Sequence, residues 1–175
     1  MNPAPSQCNR VDFIHRFGGV YEHSPWIAEQ LFDEGLTAAI DAPGPLIDAL
    51  AEVVARAGRE PQLALLRAHP DLAGKLAVSG DLTEASSSEQ AGAGLDRCSP
   101  EEFRAFQELN DAYQKKFGFP FIVAVRGLNR QEILERFRAR VQNEWDIEFD
   151  EALVQVHRIA RLRIEHIFSS DQVAI

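Results

Sequence analysis

Four polar side chains stand where the sequence demands partners for them, and their types suit proton transfer and anion binding: His69, Glu89, Asn110 and Arg163. His69 precedes Pro70, whose ring biases the preceding residue out of the α region, so His69 is expected where one helix ends, on a turn. An imidazole ordinarily titrates near neutrality and can pass a proton either way. The alternative is a cation that merely faces the negative end of a helix dipole. Ser86-x-x-Glu89 has capping-box spacing, so Glu89 serves either a helix start or a chemical role. Asn110 falls inside the apolar stripe of Phe103, Phe106, Tyr113 and Phe117, and must bond a neighbouring backbone or face a polar site. Arg163 lies on the inward face of the last helix with Val156, Ala160 and Ile164. A buried guanidinium keeps its charge and needs an anion. The candidates are an internal carboxylate such as Glu89, escape past the apolar face to water, or a fork around a substrate carboxylate or carbonyl.

The elements that must position these groups read as helices. Residues 11–17 stop at Gly18-Gly19. Ser24 reads as an N-cap with Pro25 at the first helical position, opening a helix to about Phe32 and leaving His23 in the preceding loop. After Pro43-Gly44-Pro45, residues 46–57 carry Leu46, Ile47, Leu50, Val53 and Val54 on one stripe. Pro61 opens a short helix over 62–68. Residues 74–94, rich in Gly, Ser and Ala, read as a loop leading into a helix. Ser99-Pro100-Glu101-Glu102 is a strong helix start, with a serine cap, proline at the first position and a capping-box glutamate. Residues 131–142 and 145–168 form the last two helices.

Between them runs Phe117-Gly118-Phe119-Pro120-Phe121-Ile122-Val123-Ala124-Val125-Arg126-Gly127, the most apolar stretch of the chain. A single such run cannot make a sheet, and no alternating partner strands are evident. It is expected to cross the core as an extended connector, its backbone N–H and C=O groups satisfied by something other than a ladder. A bound polar ligand would do. The fold class is therefore all-α, a single domain over residues 1–175 with roughly seven to nine helices.

Composition narrows the function classes. A chain of 175 residues with 45% apolar and 26% charged side chains is that of an ordinary globular protein. A net charge of -9 without a basic patch argues against a nucleic-acid partner. Cys8 and Cys98 are isolated, which suggests neither a zinc site nor a disulfide framework. No signal peptide or membrane span is expected, and a cytoplasmic location follows. The terminal Gln172-Val173-Ala174-Ile175 is no peroxisomal address. His15, His23, His157 and His166 do not form a metal-ligand set with His69, which disfavours a metal-dependent hydrolase.

Several motifs then combine in one order: Phe17-Gly18-Gly19-Val20-Tyr21-Glu22-His23-Ser24-Pro25-Trp26, His69-Pro70-Asp71-Leu72-Ala73-Gly74, Ser86-Ser87-Ser88-Glu89-Gln90 with Ala91-Gly92-Ala93-Gly94-Leu95, Leu109-Asn110-x-x-Tyr113-x-x-Lys116-Phe117-Gly118-Phe119-Pro120-Phe121, and Arg158-Ile159-Ala160-Arg161-Leu162-Arg163. Together they resemble the OHCU decarboxylase family of ureide metabolism, over nearly the whole chain. The resemblance implies an all-α, usually homodimeric enzyme. It implies conversion of 2-oxo-4-hydroxy-4-carboxy-5-ureidoimidazoline into (S)-allantoin and carbon dioxide without metal or organic cofactor. His69 matches the catalytic histidine. Pro70, the segment Ser86, Ser87, Ser88, Glu89 and Gln90, and the segment Phe121, Ile122, Val123, Ala124 and Val125 match substrate-contacting positions. Arg163 matches the substrate-holding arginine of the last helix. Glu89 is expected to act with His69 in catalysis. The sequence departs from the family at Ala124-Val125 and at Ser88, where contacts are expected through the backbone. A binding module that kept this fold but lost the chemistry would be expected to lack His69, Glu89 or Arg163.

Overall fold

The computed structural model describes residues 2–74 and 82–173. Lys75, the early part of the 74–94 segment and the last two residues of the terminal Gln172-Val173-Ala174-Ile175 motif lie outside them. Among the described residues there are eight α-helices and no strand, as the periodicity predicts. The chain divides into two compact units, Met1–Ala68 with Val156–Ile175, and His69–Gln155. Among the described residues no helix is long and apolar enough to cross a membrane.

The first unit holds α1 (Arg10–Phe17), α2 (Trp26–Glu34), α3 (Pro43–Ala57), α4 (Arg59–Arg67) and the C-terminal part of α8 (Trp145–Val173). Two helix starts differ from the sequence reading for one reason. Proline breaks a helix interior but is tolerated in the first turn, where its missing N–H is not needed. Pro43 and Pro45 therefore lie inside the start of α3, and Pro61 inside that of α4. Ser24 does not cap α2. Pro25 holds the cap position, and the Ser24 hydroxyl donates to the Glu22 carbonyl at 2.9 Å. The core includes the fully buried Phe13, Phe17, Leu50 and Leu65. Tyr21 donates to or accepts from His157 Nδ1 at 2.8 Å, and burial holds the imidazole below its ordinary value.

The second unit is built around α6 (Pro100–Phe117), with α5 (Glu84–Gly92), α7 (Arg130–Arg140) and the N-terminal part of α8. The start of α6 is the predicted one: Ser99 caps it, Pro100 leads it, and Glu102 closes the capping box. Gly118 ends it in the left-handed region at φ 76°, which a side chain would disfavour. Asn129 and Glu132 build a second capping box at α7. Tyr113 sits in an aromatic cage of Phe117, Phe119, Phe121 and Phe137, the last two stacked with centroids 3.9 Å apart.

An irregular turn, residues 71–74, follows His69-Pro70. Ala73 sits at φ 48°, and a Cβ on Gly74 would approach the Asp71 Cβ to 2.8 Å, so the turn is tight at both positions. Side-chain amides hold its backbone. Gln90 donates to the Asp71 carbonyl at 3.3 Å and accepts from the Ala73 N–H at 3.1 Å. From α6, Gln107 donates to the Ala73 carbonyl at 2.9 Å and Asn110 to the Leu72 carbonyl at 3.0 Å. Asn110 thus resolves toward a neighbouring backbone, although its Oδ1 is buried without a partner.

Two stability measurements follow from this frame. Ser99→Ala should lower unfolding free energy in urea by about 1 kcal/mol, the usual worth of an N-cap, with activity retained. Asp71 Oδ1 is also buried without a hydrogen-bond partner, and desolvation raises this carboxyl above 3.8, opposed by Gln114 and reinforced by Asp111. Between the unfolded and the raised folded value the folded chain binds more protons, so stability falls as pH rises through that window. Asp71→Asn should therefore be more stable than the wild type at pH 7, and chemical denaturation as a function of pH should show that advantage vanish in acid below 3.8.

Candidate active site

His69 lies just beyond the end of α4, whose last residue is Arg67 and whose C-cap is Ala68. It is the first residue of the second unit and 9% exposed, so it is more enclosed than a turn histidine suggests, with Pro70 half-buried beside it. The amide bonds to residues 71–73 fix the backbone that follows His69, and through it the direction in which the histidine leaves the chain.

The segment 86–90 lies within α5, one turn further into the helix than its capping pattern suggests. Thr83 is the N-cap, and its hydroxyl accepts from the Ser86 N–H at 3.3 Å. Thr83 wins because a cap must stand in extended backbone, and Thr83 does at φ -60° and ψ 154°. With Thr83 as N-cap, the third helical position is Ser86 and not Glu89. At helical spacing Ser86, Glu89 and Gln90 share one side. Ser86 and Gln90 are buried and Glu89 half-buried, whereas Ser87 and Ser88 are exposed. Both ends of the Gln90 amide are engaged by the 71–73 backbone.

Residues 121–125 cross the interior of the unit without regular structure, each at most 5% exposed. Among the described residues no ladder forms, and side chains satisfy part of the backbone. Arg140 Nη1 donates to the Ile122 carbonyl at 2.7 Å, and Gln155 Oε1 accepts from the Ala124 N–H at 3.0 Å. Among the described residues no hydrogen bond engages the N–H of Phe121, Ile122, Val123 or Val125. Buried amide donors of this kind are what a polar heterocycle rich in carbonyls requires.

Arg140 is itself held. Its Nε and Nη2 donate to Glu148 Oε1 at 2.9 and 2.5 Å, and its guanidinium lies 4.5 Å from the Phe121 ring centroid. Glu148 is fully buried and also accepts from the Tyr113 hydroxyl and from Asn143 Nδ2, the latter at 2.8 Å. Burial first, then the Glu148 carboxylate, pushes the Tyr113 phenol well above its ordinary value, so it stays a donor. None of Arg140, Glu148 and Gln155 was a sequence candidate. Glu148 and Gln155 do fall on the α8 stripe with Ala152 and Val156, the same signal that singles out Arg163.

Arg163 belongs to the first unit, on the C-terminal part of α8. Its side chain is 10% exposed, and Nη1 donates to Glu22 Oε2 at 2.8 Å and to the Val20 carbonyl at 3.5 Å. Glu22 is thus an internal carboxylate partner of Arg163, and it is itself only 2% exposed. His23, next to it, has a side chain 65% exposed and stands at φ 47°. The candidate residues His69, Pro70, Ser86, Glu89, Gln90 and 121–125 thus all belong to the second unit, and Arg163 to the first.

What this arrangement offers is a histidine beyond a helix end, a carboxylate on a helix with two buried polar neighbours, and a set of buried backbone donors. Among the described residues no group of three or more His, Cys, Asp and Glu side chains has metal-holding geometry.

Known proteins resemble this chain in sequence and fold. A family model described as OHCU decarboxylase matches residues 6–165. The 2-oxo-4-hydroxy-4-carboxy-5-ureidoimidazoline decarboxylase of Haloferax volcanii is 42% identical over 168 residues, covering 94% of this chain and 96% of that protein. The uric acid degradation bifunctional protein of Bacillus subtilis is 39% identical over 94% of this chain, but the match covers 32% of that longer protein. The crystal structure of (S)-allantoin synthase superposes with a TM-score of 0.73 at 33% identity over 93% of this chain, which spans 52% of that one. The family model alone covers far more than half of the residues, and the first relative matches nearly end to end, so the chain belongs to the OHCU decarboxylase family.

Proposed function

We propose that the chain decarboxylates 2-oxo-4-hydroxy-4-carboxy-5-ureidoimidazoline to (S)-allantoin and carbon dioxide, the last step in the breakdown of urate to allantoin. Residues 1–175 act as one domain, in a cytoplasmic homodimer, with no metal or organic cofactor. Beyond family membership, the observation that carries this reading is the buried, ladderless connector 121–125, whose free amide donors suit a ureide. It shares α6 with the turn after His69: Asn110 holds that turn, and Tyr113, three residues on, packs against Phe121 at 5.5 Å.

The chemistry needs little more. When the carbon–carbon bond to the carboxylate breaks, its electron pair moves into the adjacent carbon–nitrogen double bond of the ring, so the substrate supplies its own electron sink. The protein must orient the carboxylate perpendicular to that π system, stabilise charge moving onto ring nitrogen and oxygen, and deliver one proton to one face. His69 transfers the proton. Glu89 orients His69 or holds the hydroxyl and ureido N–H groups. Pro70, Ser86, Ser87, Ser88, Gln90 and the 121–125 backbone contact the substrate, and Gln90 in addition holds the 71–73 turn. Arg163 binds a carbonyl or the carboxylate, its own charge balanced by Glu22. Protonation on a single face gives a single enantiomer.

Circular dichroism of freshly generated substrate checks this. The wild type should form optically active (S)-allantoin far faster than the spontaneous decay, with or without excess chelator. His69→Ala should lose about 100-fold or more in turnover, the low end of general acid–base contributions. Near-normal turnover by folded His69→Ala would remove His69 from the mechanism, and racemic product at the spontaneous rate from the wild type would sink the decarboxylase reading.

A further inference from the structure

Val123 stands between two side-chain grips. Arg140 fixes the carbonyl of the peptide before it, through Ile122, and Gln155 fixes the N–H of the peptide after it, through Ala124. Among the described residues no peptide bond is cis. In a planar trans peptide the C=O and N–H vectors point in opposite directions. With the Ile122 carbonyl drawn toward Arg140, the Val123 N–H must point away from Arg140. By the same rule, the Ala124 N–H drawn toward Gln155 turns the Val123 carbonyl away from Gln155. Among the described residues neither polar group of Val123 has a hydrogen bond, although the residue is only 4% exposed.

We propose that Arg140, locked by Glu148, is a positioning residue that presets the Val123 N–H and C=O as a donor–acceptor pair for an amide edge of the substrate, with Gln155 as its counterpart. The proposal rests on the decarboxylase reading. A ureide presents adjacent N–H and C=O groups, and one backbone residue presents the complementary pair without any side chain. The grip is rigid because a guanidinium is a planar fork. Two of its nitrogens are committed to Glu148, which fixes where the third must point, and the Phe121 ring lies under the plane. Tyr113 and Asn143 hold Glu148 in turn. A lysine at 140 keeps the charge but offers one nitrogen where three are used.

The test has two arms. In the kinetic arm, Arg140→Lys, checked for folding by its thermal melt, should raise KM about tenfold, equivalent to about 1.4 kcal/mol of binding, while kcat changes less than about threefold. A folded Arg140→Lys whose KM stays within about twofold of wild type overturns the proposal. The second arm needs no variant and decides the matter if Arg140→Lys fails to fold. In amide NMR of the wild type titrated with (S)-allantoin, the Val123 N–H should shift and exchange more slowly, while the Ala124 N–H, already bonded to Gln155, should not. An unmoved Val123 amide at saturating (S)-allantoin overturns the positioning role. Wild-type turnover separates the two failures: an inactive wild type sinks both readings, and an active one with Val123 unmoved sinks the positioning role alone.

Discussion

Buried peptide groups outside helices are the constraint on which the second unit depends. Each such N–H or C=O left unpaired away from water costs about 1–3 kcal/mol, and two segments, 71–74 and 121–125, carry many of them. Among the described residues no strand stands beside either segment to form a ladder. The unit answers with side chains: Gln90, Gln107 and Asn110 for the first, Arg140 and Gln155 for the second. Because Asn110 and Tyr113 lie on one face of α6, that helix sets both segments at once. Its register is fixed at one end by the Ser99–Glu102 capping box and at the other by Gly118. Small errors in that helix would therefore reach every candidate residue of the unit.

Charge follows the same logic. A buried ion pair is rarely a good source of stability, since desolvating both groups offsets most of their attraction. Glu148 is nonetheless fully buried with three donors around it, and Glu22 is buried against Arg163. In both cases the arginine gains a fixed direction. For a decarboxylase this matters in a further way. Binding that holds the departing carboxylate as strongly before the transition state as within it does not speed its loss. A guanidinium whose charge Glu22 already balances suits a carbonyl, or a modest hold on the carboxylate, better than an unpaired one would.

The fold was legible because its signals are local. The Ser99-Pro100-x-Glu102 start, the glycine stop at 118 and the absence of partner strands for 117–127 each report chain geometry within a few residues. The readings that moved involve competition between neighbours. Thr83 and Ser86 are both fit to cap, and the extended backbone at Thr83 decides between them, whereas at α2 the Ser24 hydroxyl turns to the Glu22 carbonyl and no side chain caps the helix. Prolines 43 and 45 look like a break but fall within the first turn of α3, and Pro61, expected to open its helix, lies within the first turn of α4. Candidate site residues stand out in the sequence where chemistry dictates residue type, as at His69 and Arg163. They stand out less where geometry does. Glu148 and Gln155 lie on the same stripe as Arg163, but a glutamate and a glutamine near Asp146 and Glu151 do not stand out as an arginine among aliphatic residues does. Glu22 lies in a loop and carries no periodic signal at all.

A candidate site made largely of backbone donors is hard to read for a physical reason. The N–H of Val123 or Phe121 is the same group in any sequence, so the residues at 121–125 advertise only that they are apolar. What distinguishes this connector from any buried run is where its peptide planes point, and that is decided by Arg140 on α7 and Gln155 on α8. Substituting one aliphatic side chain for another at Ala124 or Val125 leaves the peptide planes alone, provided the volume fits. A change at a gripping residue turns them. The orientation of these peptide groups is thus set by side chains outside the connector, and a search for conspicuous side chains within it will pass over them.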